Sequence, residues 1–158
     1  MRRGARNESW EGVSATETRV LLECRAEASP SIVAGVIERE GYVVRICEGP
    51  DRRHRCTLVA DGACALVNGA DVVVHLLDRS EGAPSADVLP ALAAERRPVA
   101  MVAETEASRR RRSDEPSPVP WHAETVRSPL TRRDLVAAIR RALGRRDEPP
   151  AIWGDGFC

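Results

Sequence analysis

The run Val72-Val73-Val74-His75-Leu76-Leu77 limits the possible folds more than any other stretch of this chain. Its apolar residues are consecutive rather than alternating, so a strand made from them must be covered on both faces, as in the middle of a parallel sheet. The spacing therefore predicts a central strand over 71–77. Val20-Leu21-Leu22 gives a second strand opening at Arg19, and Tyr42 to Cys47 a third, bounded by Gly49-Pro50. Pro98 to Ala103 and Glu124 to Arg127 supply two more.

Helical signals fall between these strands. Ser29-Pro30 is a helix start, with Ser at the N-cap and Pro at the first helical position. Ile32, Val33, Val36 and Ile37 then share a face, and Gly41 stops the helix. Cys56-Thr57-Leu58-Val59 recurs as Cys64-Ala65-Leu66-Val67, the second copy reading as a short helix closed by Gly69. Ser85 to Arg97 is helical in pattern, but Pro90 removes a backbone donor and moves the expected regular start to Leu89. Thr131, followed by Asp134, caps a last helix with Leu135, Val136, Ile139 and Leu143 on one face and Gly144 at its end.

Strands alternating with helices imply an α/β fold, with a three-layer, doubly wound, parallel five-stranded sheet. Its binding crevice is expected at the carboxyl ends of the strands. The expected divisions are a disordered arm over 1–18, the domain over 19–144 with a flexible loop at 104–120, and a tail over 145–158.

Composition narrows the function. A length of 158 residues is one domain's worth. The 24 basic residues are balanced by 24 acidic ones, which makes a nucleic-acid partner unexpected. All the basic residues are Arg, which excludes a catalytic or Schiff-base lysine. No apolar run reaches the ~20 residues of a membrane span, and Met1 to Trp10 carries no apolar leader core. The expected location is the cytoplasm, where cysteines stay as thiols. No Walker motif, Gly-x-Gly-x-x-Gly or Gly-x-Ser-x-Gly is present, so no ATPase, dehydrogenase or hydrolase chemistry is indicated.

Over roughly residues 19–144 the chain resembles a response-regulator receiver domain, which is flavodoxin-like. The resemblance is carried by Arg19-Val20-Leu21-Leu22 with its spacing to Gly41-Tyr42, by Asp71-Val72-Val73-Val74, by Pro98-Val99-Ala100-Met101-Val102, and by Ser128-Pro129-Leu130 before an amphipathic helix. It implies a regulatory theme and a site for Mg²⁺ and phosphate, but the matching positions depart from that chemistry together. The acidic pair falls on Cys24 and Arg25, the acceptor on Leu76, the switch hydroxyl on Ala103 and the lysine on Ser128. Mg²⁺ needs oxygen ligands, which a thiol and a cation do not supply. Asp78 serves as acceptor only if the strand shifts register. The family's fourth helix is expected to be lost or replaced by the loop holding Arg109–Arg112. The resemblance thus implies a non-enzymatic pseudo-receiver that acts in signal transduction by binding another protein.

Cys24, Cys47, His54, Cys56 and Cys64 give an alternative from another class, a thiol-based redox-sensing or metal-binding module near one sheet edge. Thiolate and imidazole suit zinc, although no Cys-x-x-Cys pair is present and small buried thiols are the plain reading. No other cofactor is expected. His75 reads as a core histidine with a hydrogen-bonded ring. Asp78, Glu81 and Asp87 follow the central strand and read as solvated or dipole-placed carboxylates rather than a cation site. The Arg109–Arg112 run reads as a solvated loop. Trp153 and Phe157 in the tail are candidate partner anchors. A protein partner of unknown identity is expected, and a homodimer stays open.

Overall fold

The computed structural model describes residues 9–95, 100–105 and 123–146. Five strands form one parallel sheet: β1 (Arg19–Glu23), β2 (Val43–Cys47), β3 (Val72–His75), β4 (Ala100–Thr105) and β5 (Glu124–Arg127). Their order, β2-β1-β3-β4-β5, is the flavodoxin-like arrangement. The helices are α1 (Pro30–Glu38), α2 (Thr57–Asp61), α3 (Ala65–Gly69), α4 (Val88–Ala93) and α5 (Arg132–Arg146). A 3₁₀ turn at Ala26–Ala28 precedes α1.

Strand alternation sorts the apolar side chains into two cores. Val20, Leu22, Val72, Val74 and Val102 point to the first, which α1 covers with Ala34 and Ile37 and α5 covers with Leu135, Ala138, Ile139 and Ala142. Leu21, Val73, Met101 and Ala103 point to the second, under Leu58 of α2, Val67 of α3 and Val88, Leu89 and Leu92 of α4. These are the three layers that the apolar β3 run demands, and β3 is buried along its whole length.

Several boundaries differ from the sequence reading. Within residues 9–18, expected as part of a disordered arm, Ser9 and Trp10 are held against the domain. Trp10 packs on the second core, and its Nε1 donates to the Leu66 carbonyl at 2.8 Å. The Arg45 guanidinium sits 5.8 Å from the Trp10 ring centroid, and Arg45 Nε also donates to the Ser9 carbonyl at 3.3 Å. Gly69 is what lets the indole in, because a Cβ there would collide with Trp10 Cδ1.

Both copies of the Cys56/Cys64 repeat are helical, so α2 and α3 share the connection between β2 and β3. Ile32 does not join the buried face of α1: it is 69% exposed, while Ala34 and Ile37 turn inward. Ser29 adopts φ 53° and makes no side-chain cap. Glu104 and Thr105, expected in the loop, extend β4. The rest of that loop, with Arg109–Arg112 and the place of the family's fourth helix, lies outside the described residues, as do residues 1–8 and 147–158 with Trp153 and Phe157. Gly144 does not end α5, which runs on to Arg146. The expected cap is present: the Asp134 N–H donates to Thr131 Oγ1 at 3.2 Å, and Thr131 Oγ1 donates to Asp134 Oδ2 at 2.8 Å.

Candidate functional site: the carboxyl ends of the strands

The register sets one row of residues across the sheet where the strands end. Cys47 of β2 pairs with Glu23 of β1, Glu23 with His75 of β3, and His75 with Ala103 of β4. Alternation turns this row toward the second core, since Glu23 and His75 follow Leu21 and Val73 by two residues.

Glu23 and His75 form a buried pair. His75 Nδ1 lies 2.5 Å from Glu23 Oε2, with the two side chains 0% and 4% exposed. The carboxylate accepts from Nδ1 and fixes the ring, as the reading of His75 as a hydrogen-bonded core histidine required. The other ring nitrogen, Nε2, is buried and has no hydrogen-bond partner among the described residues. Glu23 was not among the candidates from sequence. The signal that could have found it is a lone carboxylate ending the apolar run Val20-Leu21-Leu22, beside a histidine in an equally apolar strand.

The positions that the receiver resemblance assigns to phosphotransfer carry none of its groups. Cys24 is fully buried in the first core, and its thiol is pushed up, first by burial and then by the nearby Glu104 carboxylate. Arg25 Nη1 donates to the Pro50 carbonyl at 3.3 Å. Leu76 packs against the first core, and its N–H donates to the Glu23 carbonyl at 2.8 Å. Ala103 is buried.

Asp78 is exposed, past the end of β3, and turned onto its own loop. Its Oδ1 accepts from Ser80 Oγ at 2.6 Å and Ser80 N–H at 2.9 Å. These bonds, the hydroxyl first, hold its carboxyl below the usual range. Glu81 and Asp87 line a shallow open depression with Arg79, of which Asp78 is not part.

The cysteine set divides between the two faces. Cys47, Cys56 and Cys64 pack against the second core and Cys24 belongs to the first, so the sheet separates it from the others. His54 is not with them either. It is exposed and bound to Asp51, with Nδ1 3.0 Å from Oδ1, and the Arg53 and His54 N–H groups donate to the same carboxylate. Together these contacts hold Asp51 at about 2. Among the described residues, no group of three or more His, Cys, Asp or Glu side chains is placed to hold a metal ion.

No family model matches the chain, and no curated protein matches it. A solved structure that it resembles is a response regulator receiver domain protein from Bacillus halodurans. The two are 12% identical, with a TM-score of 0.47 over 84% of this chain and 99% of that one. The flavodoxin-like, receiver-type fold is defined by the chain's own strand order. Among the described residues no helix is long and apolar enough to cross a membrane.

Proposed function

We propose that this chain is a pseudo-receiver: a non-enzymatic regulatory domain in signal transduction that works by binding another protein. One observation carries the reading. In a sheet of order β2-β1-β3-β4-β5 the crevice belongs at the carboxyl ends of the strands. There, Cys24, Leu76 and Ala103 stand where the resemblance expects carboxylates and a hydroxyl, and the buried carboxylate of that row, Glu23, is engaged by His75. Phosphoryl transfer relies on positioned oxygens and a metal ion to neutralise charge, and the side chains at these positions offer neither. What supports a binding role instead is a two-cored scaffold with β2 at one edge of its sheet and arginines along α5. The protein would act in the cytoplasm, on a protein partner, without a cofactor.

The test is incubation of the full chain with acetyl phosphate and Mg²⁺, followed by intact-mass analysis. No phosphoryl adduct is expected. A stoichiometric, hydroxylamine-labile adduct overturns the proposal, and its loss in Asp78→Asn would assign the acceptor.

A further inference from the structure

We propose that the outward face of α5 is a docking surface for an acidic segment of a partner protein, whose carboxylates the α5 arginines hold. The inference rests on the pseudo-receiver reading, in which the domain works by binding another protein, and it names the chemistry of that partner.

The zero net charge of the chain hides a separation. Among the described residues, 123–146 hold seven arginines against Glu124 and Asp134, whereas 9–95 and 100–105 hold eight arginines against fifteen acidic residues. β5 and α5 are thus a basic portion of an otherwise acidic described domain. Within α5, packing decides which side chains face out. Leu135, Ala138, Ile139 and Ala142 are buried in the first core. At 3.6 residues per turn the opposite side carries Arg133, Ala137, Arg140, Arg141 and Gly144. The three arginines are exposed. Ala137 and Gly144 between them are too small to screen a guanidinium, and nothing lies within 4 Å of where a Cβ on Gly144 would stand.

These arginines already hold carboxylates of their own chain. Arg132 Nη2 and Arg140 Nη2 donate to the two oxygens of Glu40 at 2.7 and 2.9 Å. Arg141 Nε donates to Glu124 Oε2 at 2.8 Å. Each uses a single nitrogen, and the three side chains stay 59%, 64% and 55% exposed. A guanidinium carries five N–H donors in a planar fork, so each keeps donors for a second carboxylate. Arg133 is exposed and has no ion pair among the described residues. The 15 residues of α5 span about 22 Å, the length of about seven extended residues. A short acidic segment can therefore lie along the helix and meet arginines from end to end. A nucleic-acid duplex fits less well. It carries a charge every ~1.7 Å of its axis, and beyond α5 it would run into the acidic excess of the other described residues.

The experiment titrates the full chain into fluorescein-labelled octaglutamate at low salt and follows anisotropy. Saturable binding is expected, weakening as salt is raised. Arg133→Glu, which has no ion pair to break, should weaken it about threefold or more, and Arg133→Glu/Arg140→Glu about tenfold or more. Arg52→Glu/Arg53→Glu, the same charge change on the exposed loop after β2, should leave it within about twofold of the native chain. Circular dichroism shows that each variant is folded, and the single variant decides the question if the double one is not. Absence of saturable binding, equal weakening by the loop variant, or tighter binding of a labelled DNA duplex than of the peptide would each overturn the proposal. A phosphoryl adduct would sink the pseudo-receiver reading without altering this titration, so the two failures are distinguishable.

Discussion

Replacing His75 by Leu is expected to cost about 3–5 kcal/mol, because it strands the Glu23 carboxylate in the interior. The figure follows from burial on both sides of the contact: with the side chains 0% and 4% exposed, neither group can turn to water for compensation. Glu23→Leu removes the carboxylate instead and leaves an imidazole with two unbonded nitrogens, one of which already lacks a partner among the described residues. That costs about 1–3 kcal/mol, the penalty for an unsatisfied buried polar group. The double variant Glu23→Leu/His75→Leu removes both groups with little change in volume. It should be near neutral, because replacing both partners of a buried hydrogen bond by apolar groups leaves neither unsatisfied. The coupling energy from the cycle is then about 4 kcal/mol or more, a large share of the ~5–15 kcal/mol that holds a domain together. Urea unfolding followed by far-ultraviolet circular dichroism measures all four proteins, and an unchanged slope would confirm that the same transition is compared. If His75→Leu costs less than about 1 kcal/mol, or the coupling is that small, the pair is not a desolvated one and the account of the site's floor fails.

Gly69→Ala should expel Trp10 from its notch, at about 1–3 kcal/mol, the usual range for overpacking; a thermal melt reads the loss, and an unchanged melting temperature would refute it. Thr131→Ala breaks the α5 cap and should cost about 1 kcal/mol, measured the same way. Cys47 titrates at about 11 in the fold against an ordinary value of 9.0. The raised value means stability is fully present below pH 9 and is lost as pH rises through 11, by about 1.4 kcal/mol for each pH unit crossed between the two. Cys24 is raised in the same direction, so Cys47→Val should flatten most of the decline in unfolding free energy between pH 9 and 11 and leave a remainder to Cys24. A decline as steep as in the native chain would assign it to other groups.

The sheet was legible because each strand carries its burial in its letters. Val72-Val73-Val74 has no polar face to expose, and the Ser128-Pro129 junction and the Thr131/Asp134 cap mark where α5 begins. Pairings across the sheet were not legible. Glu23 and His75 are separated by 52 positions, and only the parallel register makes them neighbours. The cysteines were misgrouped for a related reason. Cys24 and Cys47 both end strands, but Cys24 lies one position beyond the row that holds Glu23 and Cys47, and one step along a strand reverses the face. Trp10 was missed because its partners, a carbonyl in α3 and a notch at Gly69, leave no periodic trace near residue 10.

The Trp10 attachment also makes residues 9–18 a mechanical linkage. Tension applied at Ser9 would run along two separate lines: through the indole to the Leu66 carbonyl in α3, and through the Arg45 guanidinium to the edge strand. Whatever binds or pulls the chain ahead of Ser9 therefore loads β2 and α3 together, the strand that Cys47 ends and the helix that Cys64 precedes. A domain cut at Arg19, where the first strand starts, would keep every strand and lose that linkage.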